Sequence, residues 1–445
     1  MLQIQFPARI MKSFFSMSSP PTSSVAFSTL QELSANHRGL AKVMLKKGKT
    51  QLFKDGSPMV YSGAVDRIIG RPPPKTGDVV LVADGSEKPI GWGLYNSASM
   101  FCVRLMQLED EVMRDSSCAL DMEKLLNRRL DDAMNLRRSL GLPSADTNAY
   151  RLVNSEGDRL SGLIVDVFGD IAVVASSAAW VEKYRPEIES CVGRISGVTY
   201  INWRPSIDIL KEEGLDVSNL MNFKSCSHVE KVEVIENGIF YSVSLEGQKT
   251  GFYADQRENR RLVHSISKGW RVLDVCCYSG GFALNAAAGC ADHVIGLDSS
   301  LAALELAEEN VHLNNLDPGR ISFLKEDAAE FMKMAASKNE MWDLVILDPP
   351  KLAPRKKVLQ NASGMYRSLN SLAMQITKRG GLLMTCSCSG AMTQSGLFLR
   401  TLQGAATMAG RKLTVLRHAG AACDHPIDPS YPEGAYLTNY LLRVL

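Results

Sequence analysis

Two cysteines bracket a serine in Cys386-Ser387-Cys388-Ser389-Gly390, directly after the apolar run Leu382-Leu383-Met384-Thr385. A thiolate is the side-chain nucleophile suited to activating a carbon that cannot attack by itself. Carbon 5 of cytosine or uracil is such an atom. Sulfur added to carbon 6 makes an enamine whose carbon 5 attacks an electrophile; a base then takes the carbon 5 proton and elimination frees the sulfur. In an extended chain positions 386 and 388 share a face. Cys386 lies deeper in the apolar run and reads as a packed core residue. Cys388, where the run opens into a loop, reads as the nucleophile, a small structural thiol being the alternative. For the base the candidates are Asp348 and Glu433, the latter in Tyr431-Pro432-Glu433-Gly434, where it could equally cap a final hairpin. Asp424-His425-Pro426 in the same late loop has no accompanying metal ligands and reads as structural, as do Cys276 and Cys277. The ten cysteines contain no Cys-x-x-Cys pair, which argues against zinc and for a reducing compartment.

A nucleophile at a strand end needs a sheet to hold it. From Trp270 the pattern alternates regularly, with strand-like runs at Val272–Val275, His293–Leu297, Ile321–Leu324, Leu344–Leu347 and Leu382–Cys386. Helical patterns separate them, such as Leu304, Ala307, Val311 and Asn314 on one face. Strands alternating with helices imply a doubly wound parallel sheet whose ligand sits beyond the carboxyl ends of the strands. Those ends carry acids. The first closes with Asp274 before the glycine-rich turn Tyr278-Ser279-Gly280-Gly281-Phe282, which lets the cofactor approach the backbone, with Tyr278, Gly280 and Phe282 as candidate contacts. Asp298 closes the second strand, where it suits ribose hydroxyls. Asp327 follows the third, where it suits an adenine amino group. Asp348-Pro349-Pro350 closes the fourth, as a rigid exit beside the reacting base. The Gly-x-Gly-x-x-Gly spacing of nicotinamide dinucleotide sites is absent. The expected cofactor is S-adenosylmethionine, and the expected fold class is α/β, a class I Rossmann-like methyltransferase.

The rest of the chain is read as further domains, since 445 residues exceed one typical unit. Ala41 to Met106 alternates short apolar runs with turns and reads as a small β-barrel module. From Asn36 to Lys75 nine basic residues face two acidic ones, which suits RNA phosphates; Lys42, Lys46, Lys47 and Arg67 are the candidate contacts, a solvated lysine-rich face the alternative. Asp121–Leu140 reads as a helix, Leu160–Val167 and Ile171–Ala175 as strands, Ala178–Val192 as a helix. Val232–Ile235 and Phe240–Leu245 read as a hairpin through Asn237-Gly238. The segment before Glu32, the first acidic residue, is rich in serine with Arg9 and Lys12, the composition of a transit peptide for chloroplast or mitochondrion; an untargeted, cytoplasmic chain is the alternative. No apolar run approaches the ~20 residues of a membrane span, so no membrane partner is expected. The expected divisions are a leader over 1–35, the basic β module over 36–110, a linking α/β domain over 111–230, a hairpin and cofactor-contacting segment over 231–262, and the methyltransferase domain over 263–445.

From Ala41 onward the sequence resembles the bacterial large-subunit ribosomal RNA cytosine-5 methyltransferases with an N-terminal PUA domain. The resemblance is carried by Gly247-Gln-Lys-Thr-Gly-Phe-Tyr253-Ala-Asp-Gln256-Arg257-Glu-Asn-Arg260, Tyr278-Ser-Gly-Gly-Phe282, Asp348-Pro-Pro-Lys351, Ser387-Cys-Ser-Gly390 and Tyr431-Pro-Glu-Gly434. It implies that the β module is a PUA-type RNA-binding domain, that Tyr253 and Gln256 approach the cofactor, and that Cys388 attacks the base. Cys386 and the serine-rich leader fall outside the family's pattern, and the leader suggests an organelle with bacterial-type ribosomes. RNA, above all ribosomal RNA, is the expected partner, with no metal; a homodimer is left open. Methylation of a guanine nitrogen or of uracil carbon 5 remains an alternative, as does a non-catalytic ribosome-assembly factor that retains the fold.

Overall fold

The computed structural model describes residues 29–35, 37, 39–218, 231–245, 251–352 and 359–445. The leader through residue 28 and residues 247–250 of the family-like segment lie outside them. Strands β1 (Ala41–Leu45), β2 (Met59–Tyr61), β3 (Val65–Ile69), β4 (Val79–Ala83), β5 (Pro89–Tyr95) and β6 (Phe101–Leu108) pair in the order β2-β6-β5-β4-β1-β3. The edge strands β2 and β3 are separated in sequence only by Ser62–Ala64. Laid flat, six strands would hold their edges about 24 Å apart, whereas the chain from Tyr61 to Val65 reaches at most about 14 Å. The sheet is therefore curled, as a small barrel requires, around Val43, Leu45, Val80, Val82 and Val103.

The helix expected over Asp121–Leu140 spans Met122–Ser139, with the Asp121 carboxylate accepting from the Lys124 amide at its N-terminus. Its buried stripe includes Leu125, Leu126, Leu130 and Ala133. The linking domain's sheet follows as β7 (Ala149–Asn154), β8 (Leu163–Phe168), β9 (Ile171–Ser176) and β10 (Tyr200–Pro205), in the order β10-β9-β8-β7. The helix expected across Ala178–Val192 is two helices, Ala179–Lys183 and Arg185–Val192. Pro186 is the cause: it lacks an amide hydrogen and its ring collides with the carbonyl one turn back, so the helix restarts there.

Strands β11 (Lys231–Glu236) and β12 (Ile239–Ser244) form the expected hairpin, with positive φ at both Asn237 (51°) and Gly238 (79°) as the tight turn demands. The far edge of β12 is bonded by side chains. The Ser242 amide donates to Asn310 Oδ1 at 2.7 Å, the Phe240 amide to Asn314 Oδ1 at 2.8 Å, and Asn314 Nδ2 to the Phe240 carbonyl at 2.7 Å. Asn310 and Asn314 thereby dock the hairpin onto helix Leu301–Leu313.

The last sheet contains β13 (Arg271–Val275), β14 (His293–Asp298), β15 (Ile321–Lys325), β16 (Trp342–Leu347), β17 (Thr377–Ser387), β18 (Leu413–Ala419) and β19 (Thr438–Val444), in the order β15-β14-β13-β16-β17-β19-β18. The five strands expected from the alternation are present and parallel. Two more extend the sheet: β19 runs antiparallel between β17 and β18. Val272, Leu273, Leu344, Val345 and Leu383 have no exposed surface, as strands covered on both faces require. The strand order reverses between β13 and β16, where their carboxyl ends leave a crevice.

Candidate active site

Asp274 lies one residue inside the end of β13, not at its exit, and is wholly buried. Its Oδ2 accepts from the Ala283 amide at 2.9 Å, fastening the start of helix Gly281–Ala288, while Oδ1 is buried with no partner. Burial, seconded by the Asp348 and Asp298 charges, pushes its carboxyl up to about 8 despite the Ala283 bond. The turn that follows doubles back through left-handed residues at Cys276, Tyr278 and Gly280. A Cβ on Gly280 would stand 3.1 Å from the Phe323 ring and 3.2 Å from the Ala307 methyl. Asp298 braces the turn, Oδ2 accepting from the Tyr278 amide and Oδ1 from the Ser300 amide, each at 2.9 Å. Phe282 is buried beneath it. Asp327 is exposed and caps helix Ala328–Ser337, Oδ1 accepting from Ala329 and Glu330. The orphaned buried oxygen of Asp274 and the carboxylates of Asp298 and Asp348 suit a ligand that brings positive charge, as the ammonium and sulfonium groups of S-adenosylmethionine do.

Across the crevice, the Asp348 amide donates to the Val275 carbonyl at 3.2 Å, which joins the exits of β16 and β13. Cys388 is half-buried, its Sγ 4.0 Å from the Pro349 carbonyl oxygen. The serines on either side hold it there. Ser387 Oγ donates to the Tyr366 hydroxyl at 3.0 Å, and Ser389 accepts from the Met392 amide at the head of helix Gly390–Ser395. Cys386 is fully buried and takes a bond from Asn439 Nδ2 at 2.9 Å; burial lifts its thiol well above the ordinary range. It packs as expected, and Cys276 does too, its thiol pushed up to about 12 by burial first and by Asp298 and Asp348 next. Tyr253 meets Tyr278 edge to face at 5.3 Å. Burial foremost, then Tyr278, Asp255, Asp348 and Cys388, raise its phenol, so these groups share one neighbourhood. Gln256 Nε2 donates to Asp348 Oδ2 at 3.0 Å.

Arg257, Asn259 and Arg260 have no role legible in the sequence, and the fold gives each of them one. Arg260 makes a two-pronged pair with the buried Glu236 (2.7 and 2.8 Å) and donates to the Tyr253 carbonyl at 2.8 Å. Asn259 Nδ2 donates to Gln256 Oε1 at 2.6 Å. Arg257 pairs with Asp424 at 2.7 Å, and Asp424 also bonds His425 at 2.9 Å and the Arg151 amide at 2.8 Å. Asp424 and His425 are thus structural, as expected. The signal for Arg257, Asn259 and Arg260 is the spacing of polar residues on helix Arg257–Ile266, legible only once their partners on other elements are known. Glu433 lies in the short helix Pro432–Gly434 with its side chain exposed, and it is its backbone carbonyl that accepts from Gln394 at 3.2 Å.

On the barrel, Lys46 and Lys47 are exposed and Lys42 half-buried, while Arg67 is engaged by Asp66 at 3.0 Å and Glu87 at 3.7 Å. A cleft of about 350 Å³ opens between the barrel, the linking helix and the late loop, lined by Gly56, Leu105, Arg129, Arg159 and Ser430 among others. It contains neither a cysteine nor any of the acids at the strand ends, and the chemistry belongs at the crevice instead. Among the described residues no group of three or more metal-binding side chains is assembled, and no helix is long and apolar enough to cross a membrane.

The sheet order, the glycine-bearing turn and the acids around the crevice define an S-adenosylmethionine-dependent methyltransferase, and residues 215–415 match the family of that description. Residues 43–108 match the PUA-like domain family. The chain is 34% identical to the ribosomal RNA large subunit methyltransferase I of Erwinia tasmaniensis over 405 residues, covering 91% of this chain and 99% of the relative. It is 34% identical to the protein of the same name from Alteromonas mediterranea, at 91% and 99% coverage. The crystal structure of SMU.776 complexed with SAH shares the fold at a TM-score of 0.73 and 21% identity, covering 90% of this chain and 99% of that one. The protein belongs to the ribosomal RNA large subunit methyltransferase I family.

Proposed function

We propose that this methyltransferase forms 5-methylcytosine in large-subunit ribosomal RNA through a covalent adduct at Cys388. The observation that carries this reading is the half-buried Cys388 sulfur, 4.0 Å from the Pro349 carbonyl at the exit that Asp348 begins. A nitrogen target is already nucleophilic and needs no thiolate. Asp298, Asp327 and the Tyr278–Phe282 turn would hold S-adenosylmethionine, with Asp274 buried behind the turn and Tyr253 alongside, and the cofactor would supply an electrophilic methyl group when bound. Cys388 adds to carbon 6 of the ring, forming the C–S bond and moving the ring electrons onto carbon 5. Once carbon 5 carries its methyl group, a base removes the proton there; the electrons re-form the double bond and expel the thiolate. Asp348, fixed by Gln256, is the carboxylate we assign to that proton, in preference to the exposed Glu433. The basic barrel supports RNA as the substrate, and the serine-rich leader supports delivery to an organelle with bacterial-type ribosomes.

Nucleoside mass spectrometry of RNA treated in vitro tests the reading: 5-methylcytosine is expected, and a methylated guanine would end it. Cys388→Ala is expected to abolish turnover while S-adenosylmethionine binding by calorimetry stays near that of the parent. Retained turnover would show that the sulfur does not react. A fusion of residues 1–35 to a fluorescent protein checks the leader, and diffuse cytoplasmic signal would contradict it.

A further inference from the structure

Four side chains from three separate stretches of the chain form a line that ends at the site. Arg417, on β18, donates from Nη1 to Asn259 Oδ1 at 2.6 Å. Asn259 Nδ2 donates to Gln256 Oε1 at 2.6 Å, and Gln256 Nε2 donates to Asp348 Oδ2 at 3.0 Å. Asn259 is 1% exposed and Gln256 4% exposed, so water does not compete for the bond between them, while the end bonds to Arg417 and Asp348 are part-buried.

The line has only one self-consistent direction. A guanidinium offers donors only, and an ionised carboxylate offers acceptors only. Arg417 therefore forces the Asn259 oxygen toward itself and its NH2 toward Gln256. That forces the Gln256 oxygen toward Asn259 and its NH2 toward Asp348. Reversing either amide sets donor against donor or oxygen against carboxylate, and in a buried site that mismatch is costly. Two amides that could each point either way are thus set by a cation two residues removed from the carboxylate.

We propose that Asn259, oriented by Arg417, is a positioning residue for methyl transfer: it fixes the Gln256 amide so that Gln256 holds Asp348 in one orientation beside Cys388. The proposal rests on the role given to Asp348 in the reaction. Asn259 is bonded to Gln256 and Arg417, so its effect on Asp348 passes through Gln256.

Asn259→Asp keeps the size and the bond to Arg417 but removes the donor to Gln256. In the full-length protein, transfer of a labelled methyl group from S-adenosylmethionine to ribosomal RNA is expected to fall about 10- to 100-fold in kcat, with KM and calorimetric affinity for S-adenosylmethionine unchanged. Combining it with Gln256→Ala is expected to give a protein no slower than Gln256→Ala alone, because both changes break the same line. A double variant slower by the product of the two single effects would overturn the proposal, as would an effect carried entirely by KM for the cofactor. Should Asn259→Asp fail to fold, Arg417→Met on the outermost strand serves the same cycle; a smaller drop in kcat, again absent from the Gln256→Ala background, is expected, and unchanged kcat would refute the relay. The assay counts methyl groups on any base, so a product other than 5-methylcytosine would sink the reading of the reaction without deciding the relay.

Discussion

Asp274 behaves very differently in the fold from the way it behaves in an unfolded chain. There its carboxyl ionises near 4; in the fold it keeps its proton up to about 8, because burial penalises the charge. Between those values the folded state binds a proton that the unfolded state has released, so stability falls as pH rises. The contribution is complete below about pH 4 and gone once pH has passed about 8. Asp274→Asn holds the neutral form at every pH. The thermal midpoint of the ligand-free variant is expected to exceed the parent's by roughly 2–8 °C at pH 8, with a smaller gap at pH 5 and a smaller upward shift on adding S-adenosylmethionine. Equal midpoints for variant and parent at both pH values would contradict this account. Residue types alone marked Asp274, Asp298, Asp348 and Cys388 for attention. Which oxygen is orphaned, as at Asp274, and which caps a helix, as Asp327 Oδ1 does, depends on neighbours the sequence does not name.

Among the elements, β19 borders the strand that leads into Cys388. It lies between β17 and β18, pairing Leu383 with Leu442 and Cys386 with Asn439. The sequence pattern stops short of it, because alternation of strand and helix signals parallel neighbours and carries no mark of a strand that returns antiparallel into the sheet. Leu442 is fully buried, so Leu442→Ala is expected to cost about 2–5 kcal/mol. On the neighbouring edge strand Leu416 is 51% exposed, and Leu416→Ala is expected to stay within about 0.5 kcal/mol. Urea midpoints measured by circular dichroism compare the two; similar destabilisation by both would mean that β19 is not the buried strand. Helix Arg257–Ile266 poses the same problem of legibility. Its polar residues look like an ordinary solvated face, yet Arg257, Asn259 and Arg260 are all buried against partners distant in the chain.

Across the whole molecule the late loop ties the domains together. Ser430 Oγ donates to the Gly56 carbonyl of the barrel at 2.8 Å, Asn154 Nδ2 of the linking domain to the Pro426 carbonyl at 2.8 Å, and Arg137 Nη2 to the Asp424 carbonyl at 2.8 Å. The barrel is thereby held in a fixed relation to the crevice. If its lysines meet RNA phosphates, replacing Lys42, Lys46 and Lys47 by Ala is expected to weaken binding and to reduce the slope of log K against log salt by roughly 0.7 to 0.9 for every phosphate left without its lysine. An unaltered slope in filter-binding titrations would return those lysines to plain solvation. Arg67, already shared between Asp66 and Glu87, is expected to matter less. The sequence by itself determined the parallel sheet, the acids around its ligand-facing edge, the hairpin turn at Asn237-Gly238 and the distinction between Cys386 and Cys388, because periodicity and turn chemistry are local properties. Only the tertiary structure decided the place of β19, the burial of Asp274, and the line from Arg417 to Asp348. Those depend on which distant segments meet, and a hydrogen bond between residues far apart in the chain leaves no local trace.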